Sequence, residues 1–315
     1  MREHFFARTP VDELYRWFAG EAAPSSPRWE ATSHWVADEP RLHTRLDALP
    51  GEARQPNRFL AALRFHGAPT TPGDTLLRWV DEHWAALETT IRTRPTQTNE
   101  PGRLAALAPV LASLPGPLAL LELGSSAGIG LLPDVLDARE WAETTDTPPS
   151  DRLPEVAARL GVDRNPLDAS DPETVRWLRA LVWPGEEDRE RRLVQAVELV
   201  VRHRPEIRPL DLTRDPGRDL PALVDELQRR APGATPVVTH AMTLGYLSRP
   251  ERRPVVEAVR ASGAHWVAFE PPRVLRGLVD EARVPSAVPE RDCLVTLDGT
   301  VLAVSQPHGR RVDWC

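Results

Sequence analysis

The sequence predicts an α/β fold: a Rossmann-like, mostly parallel sheet that ends in an antiparallel hairpin, with a helical cap in front of it. Three observations predict it. Short apolar runs of strand length alternate with helical patterns, a glycine-rich turn follows the first of these runs at once, and Asp298-Gly299 separates the last two.

The first hundred residues show helical periodicity and almost no strand signal. Thr9-Pro10 opens an amphipathic stretch from Val11 to Phe18, proline suiting the first helical position. Asn57–Phe65 and Gly73–Ile91 follow the same pattern, with proline-rich breaks at 24–27, 69–72 and 95–101. Residues 1–100 are therefore expected to form a helical cap or subdomain, and 101–315 the α/β domain. From Pro115-Gly116-Pro117 the character changes. Leu118–Leu123 is an unbroken apolar run with one acid, the mark of a strand buried on both faces. Runs 236–242 and 265–270 repeat it, with helical patterns at 172–183 and 187–203 in between, which predicts parallel βαβ units. At the end, 293-CLVTL-297 and 300-TVLAVS-305 flank Asp298-Gly299, a strong hairpin signal.

Composition bounds the function. The 315 residues are 41% hydrophobic and 27% charged, enough for a sizeable core. No apolar run approaches the ~20 residues of a membrane-spanning helix. The start has acids and no apolar signal region, so a cytoplasmic protein is expected. Two cysteines, Cys293 and Cys315, make neither a disulfide framework nor a thiolate metal centre, and the nine histidines do not cluster at ligand spacing, so no metal site is expected. All 39 basic residues are arginine. A chain without lysine cannot supply the phosphate-binding lysine of a P-loop or the Schiff-base lysine of pyridoxal enzymes. A formal charge of −7 argues against a nucleic-acid partner.

The chemistry-bearing segment is 120-LLELGSSAGIG-130, an apolar strand running into small residues and then into a helix-like LLPDVL. Small residues let backbone amides approach a ligand, and a helix N-terminus behind them favours electron-rich groups. A tight turn that binds nothing is the plain alternative. The dinucleotide fingerprint G-x-G-x-x-G fails here. Gly124 to Gly128 match G-x-S-x-G, a hydrolase elbow with Ser126 as nucleophile and His240 as base, but that fold needs strands before the elbow. The pattern E-x-G-x-G-x-G of class I methyltransferases fits best, with Glu122, Gly124, Ser126 in place of a glycine, and Gly128; Ser125 lies between them.

The resemblance extends further. The segments 55-QPNRFLAALRF-65, 120-LLELGSSAGIGLL-132, 159-RLGVDRNPLDASDPETVRWLRALVWP-184, 237-VVTHAMTLGYL-247 and 308-HGRRVDW-314 are similar to a bacterial family labelled domain of unknown function 2332. That resemblance implies a methyltransferase-like fold and brings no reaction with it. The chain departs from the expected pattern at Gly130, where asparagine is anticipated, and at Glu270-Pro271-Pro272.

In related folds the second strand ends in an acid that holds the ribose hydroxyls. Asp163 is the candidate and Asp168 the second, with helix capping as the alternative for both. Asp211 is expected after the third strand, facing the adenine. His240 should end a central strand at the carboxyl edge, where open sheets bind ligands, and imidazole is the side chain best suited to take a proton there. Glu270 ends the next strand at the same edge. Arg58 from the cap and Tyr246 are candidate substrate contacts, while Trp177 and Trp183 read as packing. The expected function is S-adenosylmethionine-dependent methyl transfer to a small molecule. A serine hydrolase using Ser126, and a binding protein without turnover, are the alternatives.

Overall fold

The computed structural model describes residues 2–315, with side chains from Phe5 onward. The chain divides into two compact units, Met1–Thr98 with Ser170–Val194, and Asn99–Ala169 with Gln195–Cys315.

The first unit is helical. It holds α1 (Arg2–Arg8), α2 (Val11–Ala22), α3 (Pro27–Asp38), α4 (Pro40–Asp47), α5 (Pro56–Phe65) and α6 (Asp74–Thr93). Local chemistry sets their starts. Ser26 caps α3 by accepting from the Trp29 amide, and proline occupies the first turn of α3, α4 and α5. Leu14 and Tyr15, Phe59 and Leu60, and Leu76 and Val80 are buried where the helical period brings them to one side.

The segment 170–194 belongs to this unit, although the sequence reading assigned it to the α/β part. Asp171 caps α8 (Pro172–Leu181) by accepting from the amides of Glu173 and Thr174. The buried face of α8 packs on α5, and Trp177 and Ala180 join the same core as Phe59 and Leu60. The indole N–H of Trp177 donates to the Pro95 carbonyl at 3.0 Å and that of Trp183 to Asn57 Oδ1 at 2.9 Å. Both tryptophans are packing residues.

The second unit is built on one nine-stranded sheet. Its strands are β1 (Leu118–Leu123), β2 (Glu143–Thr144), β3 (Val156–Asp163), β4 (Ile207–Pro209), β5 (Thr235–Ala241), β6 (His265–Glu270), β7 (Cys293–Leu297), β8 (Thr300–Ser305) and β9 (Arg311–Trp314). They lie in the order β2-β9-β8-β7-β6-β5-β1-β3-β4. The five strands β4, β3, β1, β5 and β6 are parallel, and β6 to β9 continue as an antiparallel meander. All six residues of β1 are buried, which explains the unbroken apolar run. The expected hairpin forms at its Asp-Gly, both residues taking positive φ (52° and 83°).

The unit also contains α7 (Leu104–Ser113), α10 (Pro216–Arg230), α11 (Arg249–Ala261) and the single turn α12 (Pro272–Leu275); the division between the units falls within α9 (Glu187–His203). Leu220, Val224 and Leu227 of α10 and Val255, Val256 and Val259 of α11 close a core with Leu121, Leu123, Leu160, Val162, Val238 and Trp266. By strand alternation, Leu120 and Glu122 face the other way.

Two features depart from the sequence reading. The LLPDVL segment is not a helix: after the glycine turn there is one 3-10 turn, Ile129–Leu131, because Pro133 cannot supply the next helical amide. The antiparallel part is a meander through β9, a larger addition than a hairpin, and the two-residue strand β2 closes that edge in parallel with β9. No described helix is long and apolar enough to cross a membrane.

Candidate functional site

After β1 the chain leads to β3 and β4 on one side, and it later returns through β5 and β6 on the other. The reversal places a topological switch point between β1 and β5, at the carboxyl ends where open sheets bind ligands. Glu122 to Gly130, Asp163 with Arg164, and Met242 to Tyr246 converge there. Ser126 and Met242, at the two turns of this edge, hold positive φ of 52° and 61°, a strained backbone conformation for residues other than glycine.

Each glycine of the turn has a protein neighbour that explains it. A Cβ on Gly124 would overlap Thr243 Oγ1 and lie 2.6 Å from its Cγ2. On Gly128, whose φ is +86°, it would come within 2.9 Å of Ile207 Cδ1 and 3.1 Å of Pro205 Cγ. On Gly130 it would overlap Glu122 Oε1, so the departure from asparagine follows from the carboxylate beneath it. The space that a side chain on Gly124 or Gly128 would take is therefore filled by Thr243, Pro205 and Ile207.

The amides of the turn are committed as well. Gly124 and Ser125 donate to the Val162 carbonyl, Gly128 to that of Ser125, Ser126 to Asp163 Oδ2 at 2.8 Å, and Ala127 to Asn99 Oδ1 at 3.1 Å. Asn99 also donates from Nδ2 to Ser126 Oγ at 2.9 Å. Asn99 thus straps the turn from outside. The residues 99-NEPGR-103 looked like part of a proline-rich break, and the sequence signal that marks them is only the Asn-Glu-Pro-Gly cluster. Glu100 approaches His308 Nδ1 at 3.2 Å, Arg103 donates to the Pro307 carbonyl at 3.1 Å, and Gly102 and Gly309 pass with no room for a Cβ on either. The closing HGRR segment is required where it meets this strap.

Asp163 ends β3 beside the turn, as expected. It spends one lone pair of each oxygen, Oδ2 on the Ser126 amide and Oδ1 on the Asn165 amide at 2.7 Å, and keeps the others. Asp168 sits in an exposed loop. Glu122 is buried, its Oε2 has no hydrogen-bond partner, and burial pushes the carboxyl up to about 8. Ser125 folds inward and donates to the Glu122 carbonyl at 2.9 Å.

His240 does lie at the carboxyl end of β5, one residue before its last, yet it does not face an open crevice. It is 1% exposed. The indole N–H of Trp266 donates to Nε2 at 2.9 Å, so Nε2 is an acceptor and the proton sits on Nδ1, which donates to Glu270 Oε1 at 3.0 Å. The lone pair that a general base would use is already bonded. This geometry corrects the catalytic assignment of His240, because the tertiary fold brings an indole donor to it from two residues into β6. Glu270 is fully buried and is likewise turned inward: besides His240, its Oε1 accepts from the amides of Thr243 at 2.6 Å and Leu244 at 2.8 Å. Pro271 and Pro272 then start α12, which directs the chain away from the carboxylate.

Asp211 lies two residues beyond β4 and caps its own turn, accepting from the Thr213 amide and hydroxyl and from Arg164 at 3.2 Å; these bonds lower its carboxyl to about 2. It lines a depression of about 560 Å³ with Arg164, Arg214 and Arg218. Tyr246 is on a 3-10 turn and is 67% exposed, at the same edge as Thr243. Arg58 is buried inside the helical unit, its NH1 3.5 Å from the Ile91 carbonyl and its NH2 3.8 Å from Glu52, which removes it from the candidate substrate contacts. Among the described residues no group of three metal-ligating side chains occurs.

Residues 12–314 match the model of a family described as "Uncharacterized protein conserved in bacteria (DUF2332)". The chain belongs to this family. No curated protein matches it. All the residues that this DUF2332 chain assembles at the carboxyl edge lie within the matched span.

Proposed function

We propose that this DUF2332 protein binds S-adenosylmethionine at the carboxyl edge of a Rossmann-like sheet and transfers its methyl group to a small molecule. The observation that carries the reading is the state of the turn: its five amides from Gly124 to Gly128 are bonded internally, whereas Asp163 beside it keeps lone pairs. Phosphate recognition needs free amides and a following helix, and this turn offers neither. A carboxylate with spare lone pairs suits the two hydroxyls of a ribose that carries no phosphate.

S-adenosylmethionine, when bound, supplies an electrophilic methyl group on a sulfonium. Asp163 would hold the ribose, the Asn99 strap would keep the turn in shape, and Tyr246 would present an exposed ring to the acceptor. With His240 bonded on both nitrogens, the protein contributes alignment and exclusion of water rather than proton removal. The acceptor is then a nucleophile that carries its lone pair at neutral pH.

Calorimetry with S-adenosylhomocysteine, adenosine, NAD and ATP tests the reading. Binding of the first, no binding of the phosphate-bearing pair, and a loss of tenfold or more in Asp163→Ala are expected. Wild-type protein that binds neither S-adenosylhomocysteine nor adenosine overturns it.

One observation favours the hydrolase reading: Ser126 occupies a positive-φ position inside G-x-S-x-G. Against it, His240 is committed, and the amide after the serine, the usual oxyanion donor, is bonded to Asn99. Labelling by a fluorophosphonate that is lost in Ser126→Gly would reverse the ranking.

A further inference from the structure

We propose that Thr243 is a gate at the switch point, which the arm of a nucleoside ligand held at Asp163 must displace in order to extend past its ribose, and that Glu270, His240 and Trp266 are positioning residues that hold the gate closed in the free protein. The inference rests on the adenosyl reading for its ligand and on the geometry of this edge for its mechanism.

β3 and β5 flank β1 on opposite sides. A ribose at Asp163 therefore has one end toward β4 and the other toward the turn after β5. Thr243 stands on that second path. Its side chain occupies the volume where Gly124 lacks a Cβ, and its hydroxyl donates to the Leu123 carbonyl at 3.0 Å, tying the β5 turn to the end of β1. Its amide and that of Leu244 are both held by Glu270 Oε1, at 2.6 and 2.8 Å. The carboxylate is oriented in turn by His240, and the imidazole by Trp266. A chain of directed bonds thus runs from a core indole to one threonine at the carboxyl edge of the sheet. Each link is buried or half-buried, so water competes poorly for it. Glu270 Oε2 has no partner, so the hold depends on the single oxygen that collects three donors.

An arm attached to the ribose on the β5 side must displace the threonine methyl and hydroxyl, whereas a bare nucleoside need not. The consequence is a specificity difference: the wild type gains little from the amino-acid arm of S-adenosylhomocysteine over adenosine.

The test is calorimetry of wild type, Thr243→Ser and Thr243→Ala with S-adenosylhomocysteine and with adenosine. Thr243→Ala is expected to raise affinity for S-adenosylhomocysteine tenfold or more while adenosine stays within twofold. Thr243→Ser, which keeps the hydroxyl and removes the methyl, should fall between and guards against a poorly folded alanine variant. Equal changes for both ligands, or none, overturn the gate while leaving the adenosyl reading in place. Failure of both ligands with all three proteins sinks the adenosyl reading and the gate with it. The positioning role is read separately, without ligand, by hydrogen exchange. Trp266→Phe and Glu270→Gln should speed exchange in 242–247 by tenfold or more while 118–123 stays protected. Unchanged exchange in 242–247 removes the triad from the proposal.

Discussion

Glu122 and Gly130 form a pair in which each residue explains the other. The carboxyl is buried and raised to about 8 from an ordinary 4.5, and the glycine makes the space for it. A carboxyl raised in the folded state favours folding at low pH, where both states are protonated; that advantage is full below about 4.5 and is lost as pH climbs to about 8. Glu122→Gln, which stays neutral, should therefore gain on the wild type by on the order of a few kcal/mol between pH 5 and 8, measured by urea unfolding at both values. A gap that stays constant with pH would show the carboxyl to be ionised without penalty. Gly130→Ala should cost about 1–3 kcal/mol through overpacking. The loss should shrink when Glu122→Ala is added, a non-additivity that a double-mutant cycle measures. Gly128 behaves differently, since its positive φ and its contact with Ile207 both oppose a side chain. Gly128→Val therefore tests the fold before it tests any ligand.

Among the elements, α8 shows how a cap places a segment. Asp171 accepts from the Glu173 and Thr174 amides at 3.1 Å each, and the helix that follows turns Trp177 and Ala180 toward α5. Asp171→Ala should lower the stability of the helical unit by about 1 kcal/mol, the usual loss for an N-cap, seen as a shifted urea midpoint. The strand elements carry a different device. In the β7–β8 turn Asp298 accepts from the Trp266 amide and from His265, both at 2.7 Å, so one side chain ties the hairpin to β6. Gly299→Val should cost about 1–3 kcal/mol, because φ is +83° there and a branched side chain is strained in that region.

For the molecule as a whole, the two units are not two stretches of sequence. The helical unit takes residues 170–194 from within the α/β sequence, and its core includes Trp177 and Ala180. A fragment of residues 1–98 lacks those side chains and the α8 face that covers α5. It should unfold without a cooperative transition by circular dichroism, whereas the full chain should show one. A cooperative, native-like melt from the short fragment would make α8 dispensable to that unit. The formal charge of −7 is spread over a chain with several arginine–carboxylate networks: Arg208 and Arg230, for instance, bridge Glu206 and Glu226.

Periodicity and turn chemistry made the strands Leu118–Leu123 and His265–Glu270 legible, as well as the Asp298-Gly299 hairpin and the helices around Asn57–Phe65 and 187–203, because each rests on neighbours in sequence. The placement of Asp163 at a strand end beside the glycine turn was legible for the same reason. The state of the side chains at that edge was not. Whether His240 has a free nitrogen depends on Trp266, 26 residues away. Whether Gly124 leaves room for a ligand depends on Thr243, and whether the turn has a free amide depends on Asn99 and Asp163. Sequence determined which residues could reach the carboxyl edge, through local backbone preference. The tertiary structure alone decided which of them remain available there, because hydrogen-bond capacity is finite and is consumed by partners distant in the chain.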